Sequence, residues 1–225
     1  EIGRAGMNGP FLPWFLNQQG EAKLDSLHSA YGMQFTWHGG ASSREAMKQG
    51  ATILRPRGTP AFFDPVYARL KREAIADFLR EHGSEPWLFD VRGQDEPFNQ
   101  IGSILQPGMY ETVDRTLRDE YGVGLGVPAG VPGVPYQDQA VHGNSRTVPD
   151  HETALSRIAM FRWLNGQYYE VARQEHETVK RHAPDVLYQA YNRNAVADLD
   201  FLDQSLIYEV TDYYSADPYP SFCIY

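Results

Sequence analysis

DPVYARLKREAIADFLREHGSEPWLFDVRGQDEPF, residues 64–98, carries two periodicities in succession. Asp64 followed by Pro65 reads as an N-cap with proline at the first helical position, which predicts a helix to about Glu81. Its apolar stripe is Val66, Leu70, Ile75, Phe78 and Leu79, and His82-Gly83 ends it. Trp87–Val91 is then a strand. Beyond it the chain turns polar through Arg92, Gln94, Asp95 and Glu96 before Pro97. A helix, a short connection, and a strand that ends in charge is one half-turn of an α/β architecture.

The same rhythm extends outward. Residues 20–31 place Leu24, Leu27 and Tyr31 at helical spacing with Gly32 as the stop, and 33–37 read as a short strand. Helices are expected at 109–121, closed by Gly122, and at 153–182, closed by Pro184. A strand at 186–190, a short helix at 198–204 and a strand at 207–214 complete the series. Strand–helix alternation with short connections implies a parallel sheet with helical crossovers. No Gly-x-Gly-x-x-Gly follows any strand, so a (β/α)8 barrel fits better than a nucleotide-binding sheet. Residues 122–149, rich in glycine and proline, break the rhythm and read as a loop insertion, a candidate lid or cleft wall.

Composition narrows the function. The chain has 225 residues, 42% hydrophobic and 13% aromatic, enough for one substantial domain over 1–225. A net charge of −9 gives no reason to expect nucleic acid. No apolar run approaches the ~18–20 residues of a membrane helix. A single cysteine, Cys223, excludes an internal disulfide and any cysteine-cluster metal site. His176 and His182 are too far apart for a His-Glu-x-x-His helix, and there is no Gly-x-Ser-x-Gly elbow, so neither metal nor cofactor is expected. The chain opens without a methionine or a leader pattern and stops on an apolar run, so a piece of a longer polypeptide is expected and targeting is not read.

In a barrel, reactive groups sit at the C-terminal ends of strands. The candidates there are Asp95-Glu96, Gln189–Asn194 with Asn192, Asp217-Pro-Tyr219-Pro, Trp37-His38, and Arg55-Pro-Arg57. Adjacent carboxylates repel, which raises one pKa and suits it to general-acid work. Trp37 is a candidate sugar-stacking platform, although a tryptophan is more commonly a core residue. Carboxylates, arginines, amides and aromatics at strand ends suit glycoside chemistry, in which two carboxylates do the proton and nucleophile work.

Taken in order, these motifs resemble the catalytic barrel of glycoside hydrolase family 42 β-galactosidases and their relatives in clan A. The resemblance rests on Ala5-Gly-Met-Asn8, on Arg55-Pro-Arg57 followed by Phe63-Asp-Pro-Val-Tyr67, and on Gln94-Asp95-Glu96. It continues through Leu117-Arg-Asp-Glu-Tyr-Gly122, the segment from Phe161 to His182-Ala-Pro184, Asn192, and Asp217-Pro-Tyr-Pro220. It implies Glu96 as general acid/base, Tyr219 as hydrogen-bond partner of the nucleophile, and Arg55 or Arg57 as support for the sugar. The family's asparagine before the acid is Asp95 here, which alters the contact to the sugar 2-hydroxyl. The nucleophile, a glutamate on the seventh strand, is expected beyond Tyr225, leaving about strands 1–6 of the barrel in this chain. Oligosaccharides or polysaccharides are the implied substrates, and relatives are often trimers. Two alternatives stand beside this reading: a carbohydrate-binding or structural barrel without turnover, and an inverting hydrolase with Asp217 as base.

Overall fold

The computed structural model describes residues 20–51, 53–54, 59–95, 110–125, 151–194, 204–213 and 215–217. In chain order the elements are α1 (Glu21–Tyr31), β1 (Phe35–Trp37), α2 (Ser43–Lys48), β2 (Ile53–Leu54), β3 (Thr59–Pro60), α3 (Pro65–His82) and β4 (Leu88–Asp95). Then follow α4 (Tyr110–Tyr121), α5 (His151–His182), β5 (Leu187–Asn194), α6 (Gln204–Tyr208) and β6 (Ser215–Asp217).

The helices obey their local signals. Asp64 Oδ1 accepts from the Val66 and Tyr67 N–H groups at 2.9 and 3.1 Å, and Pro65 fills the first turn of α3 where its missing donor costs nothing. Gly32 closes α1 at φ 64°, in the left-handed region, with its N–H on His28 O. α5, about 48 Å long at 1.5 Å per residue, presents Tyr168, Ala172, Glu175 and Val179 as one buried stripe. No described helix is long and apolar enough to cross a membrane.

β1, β4, β5 and β6 form one parallel sheet in that order, and β2–β3 make a separate two-residue antiparallel ladder. The order of the sheet follows the order of the chain, so each crossover adds its strand to the same growing edge. A doubly wound sheet would reverse direction at a switch point, and none occurs among the described strands. α3 and α5 pack on one face, over Phe35, Val91, Tyr188 and Ala190.

Several boundaries differ from the sequence reading. The expected strands at 87–91 and 186–190 run four residues further, because their polar ends pair with each other: Gln94 faces Tyr191 and Asp95 faces Asn192 in the ladder. Of the helix expected at 198–204 only Gln204 lies among the described residues, where it opens a short helix over Gln204–Tyr208. The strand expected at 207–214 does not form over 207–213: Ile207 and Tyr208 end α6, a turn follows at 209–210, and Ile207 and Val210 go into the core three residues apart. Glu209 N–H on Leu206 O and Val210 N–H on Ile207 O keep the chain coiled there. The strand forms later, at 215–217. Four parallel strands are described, where about six were expected.

A buried charge pair fixes the helices to the sheet. Lys71 Nζ (α3) lies 3.1 Å from Glu175 Oε2 (α5) and donates to Gly93 O (β4) at 2.6 Å. Tyr188 OH (β5) donates to the same Glu175 oxygen at 3.0 Å, and Tyr168 OH donates to Ala190 O at 2.8 Å. Burial and the neighbouring Glu175 charge push the Tyr188 phenol well above its ordinary range, so it stays a donor. Gly93 is required where these groups meet. A Cβ there would stand 2.2 Å from Ala190 O and 2.7 Å from Tyr188 OH.

Candidate functional site at the C-terminal edge of the sheet

Parallel pairing brings the C-terminal ends of three strands to one edge. Asp95, Asn192 and Ser215 are successive partners across β4, β5 and β6, and Asn194 with Asp217 forms the next row. Neighbouring strands lie ~4.8 Å apart, so Asp95, Asn192 and Asp217 are gathered within about three strand spacings of one another. Asp95 and Asp217 are separated by more than a hundred positions in the chain.

β1 reaches less far. Trp37 pairs with Val91, four residues short of Asp95, or ~13 Å down the strand direction at 3.3 Å per residue. The Trp37 ring belongs to the hydrophobic core, stacked on Phe78 at 4.6 Å and 17°. Gly39 passes so close to it that a Cβ would stand 2.0 Å from the indole. One face of the ring is therefore taken by Phe78 and an edge by backbone, so Trp37 is a packing residue in this structure. His38 follows it, half-buried. Arg55, Arg57, Glu96, Tyr219 and the 126–149 part of the loop lie outside the described residues. The start of that loop is tied down: Leu125 is buried, and its N–H donates to Asp114 Oδ1 at 2.7 Å.

Below the edge lies a polar layer that motif reading did not assign. Side chains alternate along a strand, and Tyr188 and Ala190 face the helices, so Gln189 and its partner Arg92 face the other way, with Asp90 and Thr36. Asp90 is fully buried and accepts a hydrogen bond from Tyr213 OH. Tyr213 OH also lies 3.3 Å from Gln189 Oε1. Burial pushes the Asp90 carboxyl above the usual carboxylate range, opposed by hydrogen bonds from Thr36 and Tyr213 and by the Arg92 charge. Burial likewise pushes the Tyr213 phenol up, reinforced by Asp90. The legible signal was the period-two run Asp90-Val-Arg92-Gly-Gln94, polar on alternate residues of a strand otherwise built for burial.

Tyr213 reaches this layer because 211–213 fold back on β5. Asp212 N–H donates to Tyr188 O at 2.9 Å, and Asp212 Oδ2 accepts from Tyr188 N–H at 2.7 Å and from Lys180 Nζ at 2.8 Å. The arrangement is a parallel sheet whose helix-covered face is apolar apart from the Lys71–Glu175–Tyr188 cluster and whose opposite face carries acid, guanidinium and amide groups rising toward Asp95. Such an edge offers hydrogen-bond acceptors and donors to a polar ligand at the place where α/β folds carry their chemistry.

No known protein-family profile matches the chain, and no curated protein matches its sequence. Its fold does match solved structures. The β-galactosidase of the psychrophile Marinomonas ef1 superposes with a TM-score of 0.65 at 14% identity, over 97% of this chain and 37% of that one. The β-galactosidase of the Antarctic haloarchaeon Halorubrum lacusprofundi gives 0.61 at 14%, over 97% and 36%. A catalytic mutant of a family 42 β-galactosidase from G. stearothermophilus gives 0.63 at 15%, over 98% and 36%. The chain thus has the fold of part of these enzymes and spans just over a third of their length.

Proposed function

We propose that the protein is a retaining glycoside hydrolase acting on β-galactoside-like bonds, with Glu96 as general acid/base. The observation that carries this reading is the alignment of Asp95, Asn192 and Asp217 at the C-terminal edge of a sheet with the fold of β-galactosidases. The four strands, added in chain order, belong on this reading to a (β/α)8 barrel, with Asp90, Arg92 and Gln189 facing its interior.

Glu96 protonates the glycosidic oxygen while a second carboxylate, ~5–5.5 Å away, attacks the anomeric carbon. Water then hydrolyses the glycosyl-enzyme with Glu96 as base. An aspartate immediately before Glu96 disfavours its ionisation and so helps keep the proton that the first step needs. Asn192 and Asp95 hydrogen-bond the sugar, Tyr219 orients the attacking carboxylate, and Arg55 or Arg57 lines the sugar site. The 122–149 segment acts as a wall or lid over the cleft. Because the chain spans just over a third of its structural relatives, the attacking carboxylate is assigned to none of its residues.

Hydrolysis of an aryl β-galactoside by the full-length polypeptide, with the attacking carboxylate present, tests this. Glu96→Gln is expected to lower turnover ~10²–10⁴-fold, with azide restoring it as the β-galactosyl azide, a rescue that unfolding would not permit. Undiminished activity in Glu96→Gln overturns the assignment. Galactoside binding by the unmodified protein without turnover supports the non-catalytic reading that Asp95, in place of asparagine, favours. An inverted product would transfer the base role to Asp217.

A further inference from the structure

At the opposite end of the sheet, where α3 hands the chain to the start of β4, three potential metal ligands converge. Glu21 opens α1, and Glu81 with His82 closes α3. His82 Nε2 lies 3.6 Å from Glu21 Oε1 and 3.7 Å from Glu81 Oε2, and the three ligand atoms all fall within 4.8 Å of one another. From this juxtaposition we propose a zinc-binding site made of Glu21, Glu81 and His82, which joins the first turn of α1 to the last turn of α3.

The spacing is the first argument. Two ligands bound to a tetrahedral Zn2+ at 2.0–2.1 Å are separated by about 3.3–3.5 Å. The His82–carboxylate distances are close to this and too long for direct hydrogen bonds. Both glutamates are exposed, so their side chains can close the few tenths of an ångström to His82, and the larger gap between the two carboxylates, at little cost.

The second argument is the imidazole. The His82 side chain is nine-tenths buried, held between Phe78 at 4.8 Å and Trp87 at 5.7 Å between ring centroids. No described group stands within hydrogen-bond distance of Nε2; the two carboxylates are what faces it. A ring fixed by packing, with an open nitrogen aimed at two carboxylates, is a preorganised ligand set. A nitrogen donor among carboxylates selects Zn2+ and its transition-metal neighbours over Mg2+ and Ca2+, which prefer all-oxygen shells. The C-terminal end of α3 adds the negative end of a helix dipole beside a cation.

The ion would have a structural role. Holding Glu21 and His82 to one ion would clip α1 onto the core, away from the Asp95 edge, so binding is read in stability and not in turnover.

The test uses the chain stripped with a chelator, titrated calorimetrically with ZnCl2 and, separately, MgCl2, and melted with and without each. A single Zn2+ bound per chain, a Tm rise reversed by chelator, and no comparable response to Mg2+ are expected. Glu21→Gln and Glu81→Gln, both at exposed positions, should each weaken Zn2+ binding by at least the ~10-fold that loss of even an outer partner costs. They carry the test if His82→Gln, in the core, fails to fold. Absence of saturable Zn2+ binding, equal affinity in the Glu21→Gln/Glu81→Gln double variant, or Mg2+ binding as tight as Zn2+ would each overturn the proposal.

Discussion

Replacing Lys71 by methionine removes one partner of the buried pair while nearly conserving volume. Its side chain is 3% exposed and that of Glu175 1%, so the charge left behind cannot turn to water. At 3.1 Å and an effective dielectric constant near 20, the pair attracts by about 5 kcal/mol. Desolvating two ions consumes an amount of the same order, so the intact pair contributes little net stability. The loss of one member is different. Glu175 retains the Tyr188 hydroxyl but loses its cation, and Gly93 O loses its donor. Lys71→Met should therefore cost about 3–5 kcal/mol. Adding Glu175→Gln to that background removes the stranded charge while keeping an acceptor for Tyr188, and should recover more than half of the loss. Urea unfolding at neutral pH, read at constant m-value, measures both. A Lys71→Met cost below ~1 kcal/mol, the range of exposed pairs, would refute the reasoning. So would a Glu175→Gln effect that simply adds to it, because the two groups would then not be coupled.

Two further predictions concern the same strand. Gly93→Ala should destabilise by about 3 kcal/mol, at the upper end for overpacking, because the atom met at 2.2 Å is the Ala190 carbonyl and not a flexible side chain; a change under ~0.5 kcal/mol in denaturant unfolding would mean that β4 and β5 are further apart than described. Asp90 has its folded pKa raised by burial, so its protonated form is favoured in the native state and its contribution to stability is full below the unfolded value of ~3.9 and lost as pH rises through the folded value. Asp90→Asn should accordingly abolish this decline, so that stability rises more steeply with pH above ~3.9 than in the unmodified protein, and an unchanged curve would refute the assignment.

Local signals were sufficient for most of the elements. The Asp64-Pro65 cap, the helical stripe to Leu79, the Gly32 stop and the long amphipathic run before Pro184 each lie within a few residues of the atoms they organise, so periodicity and capping report them. Asp95 and Asn192 were likewise legible as lying where strands end, whereas Asp217 ends β6, a strand the sequence placed earlier, at 207–214. Strand lengths were legible only up to the last apolar residue. Arg92–Asp95 and Tyr191–Asn194 look like loop by composition, and only their pairing with each other makes them strand. The 207–214 misreading has the same origin: Ile207 and Val210 are apolar because they face the core, which a turn satisfies as well as a strand does.

By itself, then, the sequence determined an alternating α/β chain with its polar groups collected after strands, because secondary-structure periodicity is a property of neighbouring residues. Tertiary structure alone decided which of those groups meet. Lys71 and Glu175, Asp90 and Tyr213, and Glu21 and His82 are each separated by dozens of residues and carry no mark of partnership in the chain. Their pairing follows from the parallel register and the packing of α3 and α5, which bring distant side chains within the few ångströms over which hydrogen bonds, ion pairs and metal ligation act.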